Sequence, residues 1–460
     1  MAGKVRKIMN TMLSIAHKEW GLNQKAIVTL NKACIEPAIL YGAPFWGEKI
    51  DKINIKRKLN SIQRPLLIRL CRAYRTTSNA ALQVLAGCAP LHLKAKKLTW
   101  TWTLKNILIT DDGNNNLKKY AEIGILHNLD YTFLKNFVQE GIIKKINTYT
   151  HPASNNKVEI TEVNADSIPK HLIFTDGSKN NNNVGVAFIH FIHGNSQYRH
   201  EAGFKLVSYT TVPEAEIYAI YQAISYIYTL KNYRGHLRIC TDSKTALRRI
   251  NSENSKCYTT NLIRNKLTNL HSFKVSFAWV KGHCVIQENE AADRLAKQFA
   301  KSEHNIIYTE LTEKNIKNLL QETVIQLWQM EWEKGYTGRV TYGFIPNIQH
   351  RLKMKHLNIN NIMSQTLTGH GNLRQYLHRF GLRDNELCDC DGTSPQDINH
   401  LIFSCNLFDR EHSSLIQNTI QHGLNWPCQP HHFVNNSDLY HELQTYITRT
   451  KALETNFRRT

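Results

Sequence analysis

Residues 168–304 alternate strand-length apolar runs with helix-length amphipathic ones, in an order that leaves few folds open. KHLIFTDGS is an apolar run ending in Asp, Gly and Ser, the pattern of a buried central strand. NNVGVAFIHFIHG and SQYRHEAGF follow after short turns and predict an antiparallel meander. The asparagines at 180–183 make the first of these turns, because Asn tolerates left-handed backbone. PEAEIYAIYQAISYIYTL predicts a helix, with Pro213 near its start, two glutamates in its first turn and Ala and Ile recurring on one face. HLRICTDS predicts a fourth strand, and SKTALRRI a helix capped by Ser243. VSFAWVKGH predicts a fifth strand. ENEAADRLAKQFAKS predicts a last helix, with Ala292, Leu295, Ala296 and Phe299 on one face. The order βββαβα(α)βα predicts an α/β domain, a mixed five-stranded sheet covered by helices.

The flanks read differently. Residues 1–145 are mostly helical: LNKACIEPAILYG and IKRKLNSIQRPLLIRLCRAYR space apolar residues by three and four, with basic residues between. Residues 146–167 are polar and predict a linker. Residues 305–460 return to helix, with polar breaks. A chain of 460 residues has room for two to four such domains, at roughly 100–200 residues each. No apolar run reaches the length of about 18 residues that a membrane helix needs. The N-terminus, MAGKVRKIMNTMLSIAHKEW, is basic and amphipathic and lacks the apolar block of a secretory signal. An intracellular protein is expected, in the nucleus or in a cytoplasmic ribonucleoprotein, with no membrane partner.

Charge points to a polyanionic partner. Lys and Arg number 58 against 37 Asp and Glu, a net +21. Residues 1–120 hold 21 Lys/Arg and 6 Asp/Glu, a net +15. Such a field concentrates nucleic acid, although a solvated basic surface without a specific partner has the same composition. Seven of the ten cysteines are scattered, which argues against a disulfide framework. The other three, Cys388, Cys390 and Cys405, cluster with His400.

Four carboxylates fall at ends of strands or in helices of the central domain. Asp176 is expected near the end of the first strand, Glu216 in the first turn of the first helix, Asp242 at the close of the fourth strand and Asp293 in the last helix. Open α/β sheets place their sites beyond strand ends. Carboxylates sharing one cleft raise each other's pKa, and a divalent cation relieves that repulsion. An all-oxygen donor set favours Mg²⁺ or Mn²⁺, and two such ions about 4 Å apart can support phosphodiester hydrolysis. Taken singly, each acid has an ordinary structural role as a turn, an N-cap or helix-start charge. The combination and order carry the reading.

IFTDGSK, EAEIYAI, ICTDSKTAL and FAWVKGHCVIQENEAADRLAK together resemble the four signature blocks of type 1 ribonuclease H. The resemblance spans 168–304. It implies a ribonuclease H-like fold and hydrolysis of the RNA strand of RNA–DNA hybrids with two Mg²⁺ ions, for which Mn²⁺ can substitute. It makes Asp176, Glu216, Asp242 and Asp293 the metal-binding acids, with Asp176 bridging both ions. Glu216 is preferred to Glu214 because Ala215-Glu216-Ile217 matches the family's Ala-Glu-apolar pattern. His283 matches the histidine of the mobile loop, cast in proton transfer or product release. Gly177, Ser178 and Asn289 are the candidate substrate contacts. The loop departs from the family in carrying Val285 and Glu288 where glycines are common, which implies a stiffer loop and reduced activity.

WGLNQKAIVTLNKACIEPAILYGAPFW and LNSIQRPLLIRLCRAYRTTSNAALQVLAG are similar to the thumb and connection region of non-LTR (LINE-like) retrotransposon polyproteins. That similarity implies a basic helical thumb gripping a nucleic-acid backbone, with element RNA and upstream polyprotein domains as further partners. No polymerase palm is expected, since Asp111-Asp112 sits in the polar stretch ITDDGNNNLKK and reads as a turn. LTGHGNLRQYLHRFGLRDNELCDC…INHLIFSC resembles the tail of the same polyproteins. Cys388-x-Cys390-x9-His400-x4-Cys405 supplies three thiolates and an imidazole, a structural Zn²⁺ set at 388–405, though one residue between the first two cysteines is tighter than usual. Ordinary buried or surface cysteines are the alternative. Tyr342, Phe344, Tyr376 and Phe380 are expected in a core. The leading expectation is therefore an active hybrid-specific endoribonuclease. A catalytically silent nucleic-acid-binding remnant of the same polyprotein is the alternative, and a cellular ribonuclease H fits the flanks less well.

Overall fold

The computed structural model describes residues 24–107, 160–162, 168–192, 198–230, 235–252, 257–270, 273–282, 286–307 and 313–454, with a few single residues besides. The chain divides into two compact units, residues 105–319 and residues 1–104 with 320–460. The stretch with Asp111-Asp112 and most of the expected linker lie outside the described residues.

The first unit is built on a sheet of β1 (Ile160–Glu162), β2 (His171–Asn180), β3 (Asn183–Ile192), β4 (Tyr198–Leu206), β5 (Gly235–Thr241), β6 (Phe273–Trp279) and β7 (Ile306–Ile307). The spatial order is β1-β6-β5-β2-β3-β4-β7. β2, β3 and β4 form the expected antiparallel meander, and β5 and β6 add in parallel to the other side of β2. The helices are α1 (Val212–Ile227), α2 (Lys244–Asn251), α3 (Tyr258–Thr268) and α4 (Gln287–Lys301). The fold is thus the ribonuclease H-like α/β arrangement expected from the sequence.

Two expectations need correction. The sheet has seven strands rather than five, because β1 pairs parallel with β6 and β7 parallel with β4. β1 falls inside the stretch read as a linker. Strands of three and two residues carry no readable alternation. The second correction concerns β2, which does not stop near Asp176. It runs on to Asn180, paired throughout with β3, and turns at Asn181, whose φ of 54° is the left-handed value Asn accepts.

Alternation along the strands divides the core between the two faces of the sheet. Ile173, Phe188, Leu237, Ile239 and Phe277 pack with Ile217, Ile220 and Ile224 of α1, Leu247 of α2 and Ile263 of α3. Phe174, Ile189, Cys240 and Ala278 face the other way and pack with Ala292 of α4. α4 lies close against the meander because β3 and β4 present glycines to it. A Cβ on Gly185 would stand 2.2 Å from the Ala296 carbonyl oxygen, and one on Gly203 would enter the Phe299 ring.

In the second unit the regular elements among the described residues are helices, apart from an isolated bridge, Leu387–Pro395. Segments from the two ends of the sequence share one core here. Gln24 donates from Nε2 to the carbonyls of Leu70 (2.8 Å) and Ile359 (3.0 Å). His92 Nε2 pairs with Glu331 at 2.9 Å, and Arg351 donates to the Leu85 carbonyl. Phe344 is buried, whereas Phe380 is 47% exposed and is not the core residue expected. Among the described residues no helix is long and apolar enough to cross a membrane.

The α4 contact yields a prediction. Gly185→Ala sets a methyl group against backbone, which cannot swing away, and should destabilise the α/β unit by about 1–3 kcal/mol. A fall in urea midpoint at unchanged slope would bear this out; an unchanged midpoint would show that α4 shifts freely.

Candidate active site and a second metal-ligand cluster

Register sets the first two acids side by side. The last parallel pair between β2 and β5 is Thr175–Thr241. The next residues are Asp176 and Asp242, in step with Phe174 and Cys240 of the α4-side core. β5 ends there, so Asp176 lies beyond the β5 ladder while β3 still holds its strand. Asp176 is 7% exposed.

Glu216 comes from the first turn of α1, which is tied down at several points. Glu214 Oε2 accepts from the Thr211 backbone N–H (2.8 Å), the Thr211 hydroxyl (2.7 Å) and Asn315 Nδ2 (3.0 Å). Lys179 Nζ donates to the carbonyls of Ser208 (2.7 Å) and Thr210 (2.9 Å) just before the helix. Glu214 therefore belongs to the capping box at the helix start. Glu216 is free to point into the cleft, where it is buried. Gly177 allows this approach, since a Cβ there would stand 2.7 Å from the Glu216 backbone nitrogen.

Ligand atoms of Asp176, Glu216 and Asp242 all lie within 4.8 Å of one another. Burial, then repulsion from Asp242 and Asp293, pushes the Asp176 carboxyl up to about 7. Burial, then Asp176 and Asp242, raises Glu216 well above its ordinary range. Glu216 Oε2 is buried and has no hydrogen-bond partner among the described residues. An orphaned carboxylate oxygen amid two other acids is costly unless a cation or proton joins it. The donors are all hard oxygens, so the set fits Mg²⁺ or Mn²⁺.

Asp293, on α4, is not in that tight group. It is partly exposed and accepts from Lys297 Nζ at 2.6 Å, one helical turn on. Its charge nonetheless contributes to raising Asp176. His283, Cys284 and Val285 lie outside the described residues. Their neighbour Gly282 is packed on the site: a Cβ there would stand 2.8 Å from Asp242 Oδ2. Ser178 is half-buried on β2 opposite Gly185. Asn289 is buried in the first turn of α4, its Oδ1 without a partner among the described residues. Two contributors escaped the sequence reading. Lys297 was legible as a basic residue four after an acid. Nothing local marked Gly282.

In the helical unit, ligand atoms of Cys388, Cys390, His400 and Cys405 also lie within 4.8 Å of one another. Cys388 and Cys405 Sγ are 3.7 Å apart, and Cys390 Sγ is 3.1 Å from His400 Nε2. The short Cys388–Cys390 spacing is accommodated by a tight turn. The Cys388 N–H donates to the Ser394 carbonyl (2.8 Å), and Asp391 accepts from the N–H groups of Thr393 and Ser394. Gly392 supplies a φ of 66°. Asp397 caps the helix Ile398–Phe403 through the His400 N–H, which fixes the backbone that carries the imidazole. Arg374 and Asp389 brace the turn from outside. Two sulfurs bound to one tetrahedral zinc stand ~3.8 Å apart, given Zn–S bonds of ~2.3 Å, so the donor set fits that ion.

Residues 169–301 match the RNase H family model. The chain is 31% identical over 99 residues to the Retrovirus-related Pol polyprotein from type-1 retrotransposable element R1 of Bradysia coprophila, covering 22% of this chain and 10% of that protein. It is 32% identical over 98 residues to the R1 Pol polyprotein of Nasonia vitripennis, covering 21% of this chain and 29% of that one. The chain thus spans about a tenth of the length of the first relative. A solved foamy viral protease-reverse transcriptase in complex with an RNA/DNA hybrid is 19% identical, with a TM-score of 0.25, over 31% of this chain and 22% of that one. Residues 169–301 carry an RNase H domain, within a chain similar to R1 Pol polyproteins.

The raised acids give a pH prediction. Asp176 holds its proton more tightly when folded, so the stability it contributes is present below its ordinary value of 3.8 and is lost as pH rises through about 7. Glu216 shifts in the same direction. In metal-free buffer the wild type should lose melting temperature between about pH 4 and pH 7 relative to Asp176→Asn. Millimolar Mg²⁺ should restore it. Parallel curves for the two proteins would show that the acids do not repel as described.

Proposed function

We propose that the α/β unit is an endoribonuclease that hydrolyses the RNA strand of RNA–DNA hybrids. The observation that carries this reading is the converging trio of buried Asp176 and Glu216 with half-buried Asp242, one Glu216 oxygen being left without a donor among the described residues. Asp176, Glu216, Asp242 and Asp293 would hold two Mg²⁺ ions, which when bound supply activation of a water and stabilisation of the leaving oxygen. The protein's own part is to hold these oxygens fixed before substrate arrives. Asp176 sits on a strand clamped by β3, Glu216 on a helix start tied by Glu214 and Lys179, and Asp242 between β5 and Gly282. Lys297 Nζ donates to Asp293 and holds its side chain in place until the site is filled. Backbone groups at Gly177 and Ser178, with Asn289, are the proposed readers of the 2′-hydroxyl that separates RNA from DNA. His283 is the proposed proton carrier.

The test is cleavage of a labelled hybrid, beside single-stranded RNA and duplex DNA, in Mg²⁺, Mn²⁺ or EDTA. Wild type should cut the hybrid alone and only with metal, and Asp176→Asn should lose at least about 10³-fold in rate, the scale of an electrostatic catalytic group. Hybrid binding without cutting by the wild type would instead leave the chain a binding remnant.

Cys388, Cys390, His400 and Cys405 are proposed to hold one structural Zn²⁺ that fixes the turn at 388–405. Purified protein should carry one zinc in this set, and Cys388→Ser should lose it and melt several degrees lower. Wild type purified without chelator and free of zinc would remove the site.

A further inference from the structure

The match to RNase H ends at residue 301, but the chain goes on building the α/β unit. Lys205 Nζ on β4 donates to the Ser302 carbonyl (2.5 Å). β7 then adds to the edge of β4, pairing Ile306 with Lys205 and Ile307 with Leu206. The Val207 N–H donates to the Ile307 carbonyl (3.1 Å). Asn315, third residue of the helix Glu313–Lys334, makes a further tie. Its Nδ2 donates to the Tyr209 carbonyl (2.9 Å) and to Glu214 Oε2 (3.0 Å).

Asn315 is fully buried. A buried primary amide is costly unless its hydrogens find acceptors, and here both go to the stretch that starts α1. That stretch is held by two elements. Lys179 of β2 takes the carbonyls of Ser208 and Thr210, and Asn315 takes that of Tyr209 between them. The Thr211–Glu214 capping box is a local pair whose members can shift together. Asn315 ties that pair to a separate segment, through a bond to a carboxylate, which is stronger than one between neutral groups. Two residues on stands Glu216, whose backbone nitrogen packs against Gly177, next to Asp176. Glu216 Oε2 has no hydrogen-bond partner among the described residues, so the backbone that carries it must place that oxygen. A shift of about 1 Å at such a point can cost about 10²-fold in rate.

We propose that Asn315, which lies outside the segment matching RNase H, is a positioning residue for the acid cleft. It fixes Glu214 and the Tyr209 carbonyl, and through them keeps the Glu216 carboxylate beside Asp176 and Asp242. The inference rests on the reading of that cleft as a metal-dependent hydrolase site. It makes the residues after 301 part of the working unit.

The experiment uses the full-length chain and two readouts. One is Mn²⁺ affinity without substrate, from the resonance signal of unbound Mn²⁺, with sites still filled in Asp176→Asn subtracted. The other is kcat and KM for hybrid cleavage in Mg²⁺. Wild type is compared with Asn315→Leu, Glu214→Ala and the double variant E214A/N315L, at a temperature where melting curves show each one folded. Asn315→Leu should weaken Mn²⁺ binding and lower kcat by about 10–100-fold, the scale for a group that orients a metal ligand, with KM changed less than about twofold. In the Glu214→Ala background the same substitution should cost less than about threefold more, because the two residues act through one contact. If Asn315→Leu does not fold, Asn315→Ser keeps one donor and carries the same comparison, with a smaller loss expected. Wild-type affinity and kcat in the Asn315 variant would overturn the inference and leave the cleavage reading standing. Losses that multiply in the double variant would overturn it too, since Asn315 would then act on general stability. A wild type that neither takes up Mn²⁺ nor cuts the hybrid would overturn the cleavage reading and this inference with it.

Discussion

Repulsion among three converging carboxylates, two of them buried, is the constraint around which the α/β unit is arranged. Asp176, Glu216 and Asp242 converge within 4.8 Å, and Glu216 keeps one oxygen without a donor. Flexible side chains would relax such a cluster by swinging apart into water. Here the backbone that carries them leaves little room to do so. Asp176 and Asp242 are fixed by the β2–β5 register, which pairs the residues just before them. Glu216 is fixed by a helix start whose cap, Glu214, is itself held by Thr211 and Asn315. The glycines at 177 and 282 allow chain to close on the acids from two sides. Proton uptake or a cation then becomes the cheapest relief, and this is the physical basis for reading the cluster as a metal site.

Most of this was legible because it is local. The strand and helix order came from periodicity within single segments, and the observed β2-β3-β4-α1-β5-α2-α3-β6-α4 succession follows it. The Thr211–Glu214 capping box is a four-residue pattern, and it separates Glu214, which caps, from Glu216, which turns into the cleft. What failed was either too short or too distant. β1 and β7 have three and two residues, fewer than an alternation needs. The length of β2 depended on β3 continuing to pair with it past Asp176, a tertiary fact. The packing of Gly282 on Asp242 joins residues forty apart and leaves no mark in either segment. Phe380 looked like core by type alone, and type does not say which side of a helix end a ring will lie on.

The same limit hid the organisation of the flanks. Read along the chain, residues 1–145 and 305–460 are two helical regions. In space, residues 1–104 and 320–460 share one core, closed by contacts such as His92–Glu331 and Gln24–Ile359 that span more than two hundred residues. Residues 169–301, which match the RNase H family model, lie between the two halves of that unit in the sequence. A basic N-terminal half and a cysteine-bearing C-terminal half are therefore parts of one body, and properties assigned to either belong to the unit they form together.

The two ligand clusters differ in a way that bears on how each would respond to its ion. The acid cluster is hard, all oxygen and pre-strained, so its donors are held in place by backbone before any cation binds. The Cys388–Cys405 cluster is softer: two of its ligands sit on a short turn held by Gly392 and the Arg374–Asp389 bridge, and His400 comes from the capped helix Ile398–Phe403. A site held by the scaffold gains little order from its metal and uses it for chemistry, as an exchangeable Mg²⁺ does. A site held by a short turn gains most of its order from the ion, as structural zinc sites do. The difference in scaffolding accords with the roles proposed for the two clusters, a working metal in the oxygen cleft and a structural one at the thiolate turn.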